Sequence, residues 1–237
     1  MKILIVNDDS ISAPGIALLA EVAAKFGEVT VVAPASQCSA MSQKLTLREP
    51  LLLERVEGFP APVQAAYRLS GTPVDCVKVA LNYILPQHPD WVFSGINNGY
   101  NVGYDISYSG TLGAAFEAAR NEIPAIAFSI AADKHLPACR AHLEAVIREI
   151  LSREQDPSHV WNVNFPQLAT KPLRGIAWDR HPAGVSLFRE EYLASVQPDG
   201  SVVLSCNGIP TPDSEIPEDS DAAAVRGGYI SIGKVGR

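Results

Sequence analysis

The sequence predicts an α/β protein: a Rossmann-like, mainly parallel sheet with helices on both faces, extended at its C-terminal end by a β-hairpin and arm. Three observations carry this expectation. Runs such as ILIV (Ile3–Val6), VTVVAP and AIAFSI are apolar or nearly so, the pattern of strands buried on both faces. Stretches with helical periodicity separate these runs, the alternation that right-handed βαβ crossovers require. Beyond Pro166 the alternation stops, and WDRHPAGVSLFREEYLASV and SVVLSC take on the look of hairpins.

The elements follow in order. After the first strand a helix is expected from Ala13 to Phe26, with Ser12 as its cap, Pro14 in its first turn, and Ile16, Leu19, Ala20 and Ala23 buried. VTVVAP is the second strand, and Ser36 to Leu47, which has neither period, is a loop. Thr72, Pro73 and Asp75 have capping-box spacing and start a helix whose buried stripe is Val74, Val77, Leu81 and Ile84. Trp91–Phe93 form a strand, Thr111–Arg120 a helix, AIAFSI a strand, Ala138–Arg153 a helix and VWNVNF a strand. NGIPTPDSEIPEDSD reads as a loop within the arm. The expected division is a core over residues 1–166 and a hairpin and arm extension over 167–237, the latter suited to subunit contacts.

Composition narrows the function. A chain of 237 residues, 47% hydrophobic, can bury a large core and is not a disordered protein. Its net charge of −7 argues against general binding to nucleic acid or to a membrane surface, both of which need a basic face. The scattered Cys38, Cys76, Cys139 and Cys206 form no CxxC pair and are read as reduced thiols, and the apolar run after Lys2 ends too soon for a signal peptide or a span. A cytoplasmic location is expected. His88, His135, His142, His159 and His181 show neither HxxxH nor HExxH spacing, so zinc held by histidine is not expected.

The first strand ends abruptly in Asn7, Asp8 and Asp9. In open α/β sheets the carboxyl edge of the strands is where ligands bind. Three loops should open on that edge: NDDS, ASQCSAMSQ after the second strand, and SGINNG after the strand at Trp91. Together they supply hard oxygen donors, namely the carboxylates of Asp8 and Asp9, the hydroxyls of Ser39 and Ser42, and the amide of Asn97, a set suited to one magnesium or manganese ion. Ser109, Gly110 and Thr111 stand where a helix begins, a place for phosphate. Taken one at a time each motif has a plainer explanation: a turn for Asp-Asp, a left-handed turn residue for Asn97, a helix cap for SGT. It is their convergence on one edge that favours a site able to hydrolyse a phosphoryl group.

NDDS, the loop ending at Ser39, SGTPVDCV, SGIN with its following GxNxG, YSGTLGAAFEA and NVNFP occur in the order that resembles the SurE family of metal-dependent nucleotidases, over Met1 to Pro166. DAAAVRGGYISI is similar to that family's C-terminal ending. The resemblance implies a divalent ion held by Asp8, Asp9, Ser39 and Asn97, hydrolysis of nucleoside 5′- or 3′-monophosphates, and homodimers or homotetramers built through exchanged C-terminal arms. On that basis Asp8 is expected to orient or deprotonate the attacking water, and Asn101, Ser109, Gly110 and Thr111 to hold phosphate. Ala35, Ser36 and Ala40 depart from the family's usual loop, as do Gly233, Lys234 and Val235 from its usual ending. Two other classes are weighed against it. A receiver module would need an aspartate where this chain has Ser94 and Asn97, and a haloacid-dehalogenase phosphatase would need Asp-x-Asp.

Overall fold

A computed structural model describes residues 1–132, 135–168 and 172–236. It contains strands β1 (Lys2–Val6), β2 (Glu28–Pro34), β3 (Leu53–Arg55), β4 (Ala65–Leu69), β5 (Trp91–Asn98), β6 (Ala125–Ile130), β7 (His159–Phe165), β8 (Gly175–Ala177), β9 (Phe188–Val196), β10 (Val202–Pro210) and β11 (Tyr229–Gly236). The helices are α1 (Pro14–Ala23), α2 (Pro73–Val79), α3 (Gly110–Arg120), α4 (Pro137–Leu151) and α5 (Asp221–Arg226). The main sheet has the order β3-β4-β2-β1-β5-β6-β7-β11-β8. Its run from β4 to β7 is parallel, while β3 and β11 pair antiparallel with β4 and β7.

The strand pleat explains the unbroken apolar runs. In β1, Ile3 and Ile5 pack with Ile16, Leu19, Leu143 and Ile147 of α1 and α4, whereas Leu4 and Val6 pack with Val77, Leu112 and Ala115 of α2 and α3. Each side chain of the strand therefore has a hydrophobic partner layer, and no alternation with polar residues survives. Parallel strands also share one direction, so β1, β2, β5 and β6 deliver their following loops to a common edge.

Local chemistry sets the helix ends. Thr72 and Asp75 form the expected capping box, each side chain accepting the other's backbone N–H. Ile84 is only half-buried, since the chain widens into a π turn at Ala80–Ile84. Ser12 does not cap α1: the N-cap is Ala13 with no side-chain bond, and Pro14, which has no N–H to satisfy, makes such a bond less needed. The helix ends at Ala23, a turn short of Phe26.

The arm also differs from expectation. NGIP is not loop, because β10 continues to Pro210 and pairs through Asn207↔Glu191 to Pro210↔Phe188. The tight turn around Gly200, at φ 82°, brings the two strands into long, in-register pairing. Strands β3, β4 and β8 and helix α5 are short and lacked a readable period. β11 runs back into the main sheet beside β7, so the end of the chain belongs to the same sheet as its beginning.

One carboxylate fastens this returning segment. Asp221, 3% exposed, accepts the backbone N–H groups of Gly103, Ala183 and its neighbour Ala222. Around it Val102, Ala183, Leu187, Ile216 and Val225 form a small apolar cluster beneath the 3-10 turn Gly103–Tyr108 that leads into α3. Asp221→Ala leaves those buried donors without an acceptor, and we expect a loss of about 2 kcal/mol or more in urea unfolding. Asp221→Asn, which keeps an acceptor oxygen, should lose less; equal loss in both would show that the N–H bonds are not what matters.

Candidate active site

The edge where the strands end brings most of the expected residues together. Asp8 follows β1 directly and is 4% exposed; its Oδ1 accepts the Thr111 hydroxyl at 2.6 Å. Thr111 is itself fixed, as the Ser94 hydroxyl on β5 donates to its carbonyl at 2.8 Å. Gly110 lies against the same carboxylate: a methyl group there would stand 3.0 Å from Asp8 Cβ and 3.2 Å from Oδ2. Any larger residue there would crowd the Asp8 carboxylate, so glycine favours this close approach of the start of α3. Ser109 caps the helix, its hydroxyl accepting the Leu112 N–H at 3.1 Å.

Asp9 is half-buried, with Oδ2 accepting the backbone N–H of Asn98 at 2.8 Å. The loop after β2 is drawn in by the Cys38 N–H, which donates to the Asp8 carbonyl at 2.7 Å. This places Ser39 near the pair: the Gln37 amide nitrogen donates to Ser39 Oγ at 2.9 Å and reaches Asp9 Oδ1 at 3.4 Å. Asn97 lies at the end of β5, past an irregularity in register between Ser94 and Asn97. Bulges of this kind re-aim side chains at strand ends. It is centred on Gly95, whose φ of 136° is open to glycine, and where a methyl group would lie 2.4 Å from the Phe128 carbonyl oxygen. The Asn97 amide nitrogen donates to the Gly99 carbonyl at 2.8 Å, so the group it could offer a cation is its amide oxygen.

Asn101 and Ser42 are placed differently. Asn101 is buried in an amide network: its N–H donates to Asn164, its amide nitrogen to Ser129, and its carbonyl accepts from Asn162 and Asn164. Ser42 donates to the Ser107 carbonyl at 2.8 Å and secures the turn before α3. Sequence reasoning missed Gln37, a loop glutamine with no periodic or motif signal, and weighed Ser94 only as a missing aspartate.

The electrostatics suit a divalent ion. Burial, with the charge of Asp9 adding to it, pushes the Asp8 carboxyl up from 3.8 to about 6, even though the Thr111 hydroxyl pulls it down. Burial raises Asp9 as well. Among the described residues no Lys, Arg or His forms an ion pair with either carboxylate. The buried Asn7 Oδ1 beside them also has no hydrogen-bond partner. Two carboxylates, a hydroxyl and an amide oxygen are hard donors that fit magnesium or manganese. Among the described residues no three His, Cys, Asp or Glu side chains cluster, as a zinc site would demand.

The raised Asp8 value carries a pH signature for metal-free protein. An acid whose folded pKa is raised contributes stability that is complete below 3.8 and lost as pH rises through about 6. The loss is on the order of 3 kcal/mol. In chelator, urea unfolding should show the native state weakening from about pH 4 to about pH 7, and Asp8→Asn should flatten that trend. An identical pH dependence in the two proteins would mean that Asp8 ionises normally.

Known proteins resemble this chain over nearly all of its length. The family described as "Survival protein SurE" matches residues 3–184. A "5′-nucleotidase SurE" of Flavobacterium psychrophilum is 38% identical over 97% of this chain and 89% of the relative. A protein of the same name from Synechococcus sp. (strain JA-3-3Ab) is 40% identical over 98% and 90%. The crystal structure of the SurE protein from Aquifex aeolicus superposes with a TM-score of 0.85 at 31% identity, covering 100% of this chain and 93% of that one. With the family model matched over most of this chain and relatives aligned nearly end to end, the chain belongs to the SurE family.

Proposed function

We propose that this protein is a divalent-metal-dependent phosphoric monoester hydrolase that converts nucleoside 5′- or 3′-monophosphates to nucleoside and inorganic phosphate. The observation that carries the reading is the carboxylate pair, without a cationic partner among the described residues, set against the start of α3. The relatives named 5′-nucleotidase support it. The receiver alternative is not favoured, for β5 carries Ser94 and Asn97 and no phosphoacceptor aspartate, nor is the haloacid-dehalogenase alternative, for Asp8 and Asp9 are adjacent and not spaced as Asp-x-Asp.

In this reading Asp8 and Asp9 anchor one magnesium or manganese ion, and Ser39 and Asn97 complete its protein ligands. Bound there, the ion polarises a phosphoryl oxygen and lowers the pKa of water. At the positive end of α3, Gly110 donates its backbone N–H to the phosphoryl oxygens, and Thr111, bound to Asp8, sets that helix end against them. Ser109, whose hydroxyl caps that helix start, and Asn101 hold the phosphate with Gly110 and Thr111. Asp8 orients the attacking water through the carboxylate oxygen that Thr111 does not engage. Residues 1–166 carry the reaction. Residues 167–237 close the sheet and extend the exposed β9–β10 hairpin, on which Phe188, Tyr192, Leu193 and Leu204 suit contacts in a homodimer or homotetramer. No helix among the described residues is long and apolar enough to cross a membrane. The free cysteines fit a reducing, cytoplasmic setting.

Two outcomes test the reading. Phosphate release from nucleoside monophosphates should require magnesium or manganese, stop in chelator and return when the ion is restored; undiminished activity of demetallated protein would refute the metal role. In a single turnover in oxygen-18 water, label should enter the phosphate directly from solvent. Enzyme oxygen appearing there first would instead mean a covalent aspartyl phosphate.

A further inference from the structure

A cavity of about 400 Å³ adjoins the acidic pair and is lined in part by Asp9, Ala13, Pro14, Gln37, Ile96 and Leu136. We infer that this cavity receives the nucleobase of the substrate and gives the enzyme its preference for nucleotides over other phosphate esters. The inference rests on the nucleotidase function proposed above.

Position is the first argument. Gly110 and Thr111 reach Asp8 from the face of the sheet covered by α3, whereas the cavity lies beside the starts of α1 and α4, on the opposite face. Asp9 belongs to both the carboxylate pair and the cavity wall. A phosphate ester held at the pair, with its phosphoryl oxygens toward α3, has its organic group directed to the far side.

Lining chemistry is the second. A phosphate or a hydrated ion gains nothing from apolar walls, but the flat face of a base does, and Pro14, Ile96 and Leu136 provide them. Gln37 is held at the rim by its bond to Ser39 at 2.9 Å, and its amide oxygen has no partner among the described residues. That oxygen can accept from the N–H donor that each base carries on its edge, so the site should tolerate purines and pyrimidines alike. The volume falls within the range of small-molecule pockets.

Two other cavities compete less well. One of about 460 Å³ runs along α3 past Gly113 and Phe116 and shares only Ser109 with the proposed site. One of about 680 Å³, beside the exposed Tyr104 and Tyr108, includes neither carboxylate. Tyr108 could nonetheless stack a base, which makes it the useful control.

The experiment measures steady-state kinetics of the full chain and of Ala13→Phe, Gln37→Ala and Tyr108→Ala on AMP and on ribose 5-phosphate, which lacks only the base. The parent should prefer AMP. Ala13→Phe, which fills the cavity from a half-exposed position, should raise KM for AMP roughly tenfold or more while leaving kcat/KM for ribose 5-phosphate within about twofold. Gln37→Ala should move the same ratio roughly fivefold, the scale of one hydrogen bond. No preference in the parent, parallel changes on both substrates, or loss of preference in Tyr108→Ala alone would overturn the assignment. A parent that hydrolyses neither substrate would instead refute the phosphatase function. In that event titration with adenosine in chelator still decides the cavity: binding to the parent that Ala13→Phe abolishes supports it, and absence of binding overturns it.

Discussion

The structure depends on a charge held where water hardly reaches. Asp8 sits at the end of a strand buried on both faces, with a hydroxyl for a direct partner and a second carboxylate as its neighbour in sequence. Burying an unpaired carboxylate is costly, so such a group persists only where the surroundings hold it or a function needs it. Here much of the edge is arranged about it. Thr111 gives it a hydrogen bond, Ser94 holds Thr111, Gly110 makes room, and Cys38 ties the second loop to its backbone. The result is a concentrated negative site that a divalent cation would neutralise and that has no other cation to do so among the described residues.

The rest of the fold keeps this edge rigid. Parallel pairing of β1 with β2 and β5 brings the three loops to one side, and helices on both faces leave the strand ends little freedom. The returning C-terminal segment adds a second constraint, for Asp221 joins α5 to the backbone of Gly103 at the turn that feeds α3. Stability at the far end of the chain thus reaches the start of the helix proposed to hold phosphate. The β9–β10 hairpin is the contrasting element: every residue of both strands is exposed, so its apolar side chains gain nothing within the single chain.

Legibility in the sequence followed physical range. ILIV and the nearly apolar AIAFSI were readable because burial on both faces leaves a run with little or no polar break, and the Thr72 capping box because its bonds join residues three apart. Asp8, Asp9, Gly110 and Thr111 were readable because strand ends and helix starts converge on one edge of a parallel sheet. What depends on distant partners was not. The insertion of β11 beside β7 is a pairing across the chain, and Asn101 proves to be engaged by Asn162 and Asn164, far along the sequence. Helix α5 is too short to show a period, and Gln37 matters only through where its loop folds.

The central claim is that NDDS is a cation site and not a turn. It is tested most directly by anomalous diffraction from crystals grown with manganese. The account predicts one strong peak at the acidic pair, about 2.1 Å from oxygens of Asp8 and Asp9, with Ser39 and Asn97 in the same coordination sphere. No peak at this edge, or a peak coordinated by other residues, would contradict it.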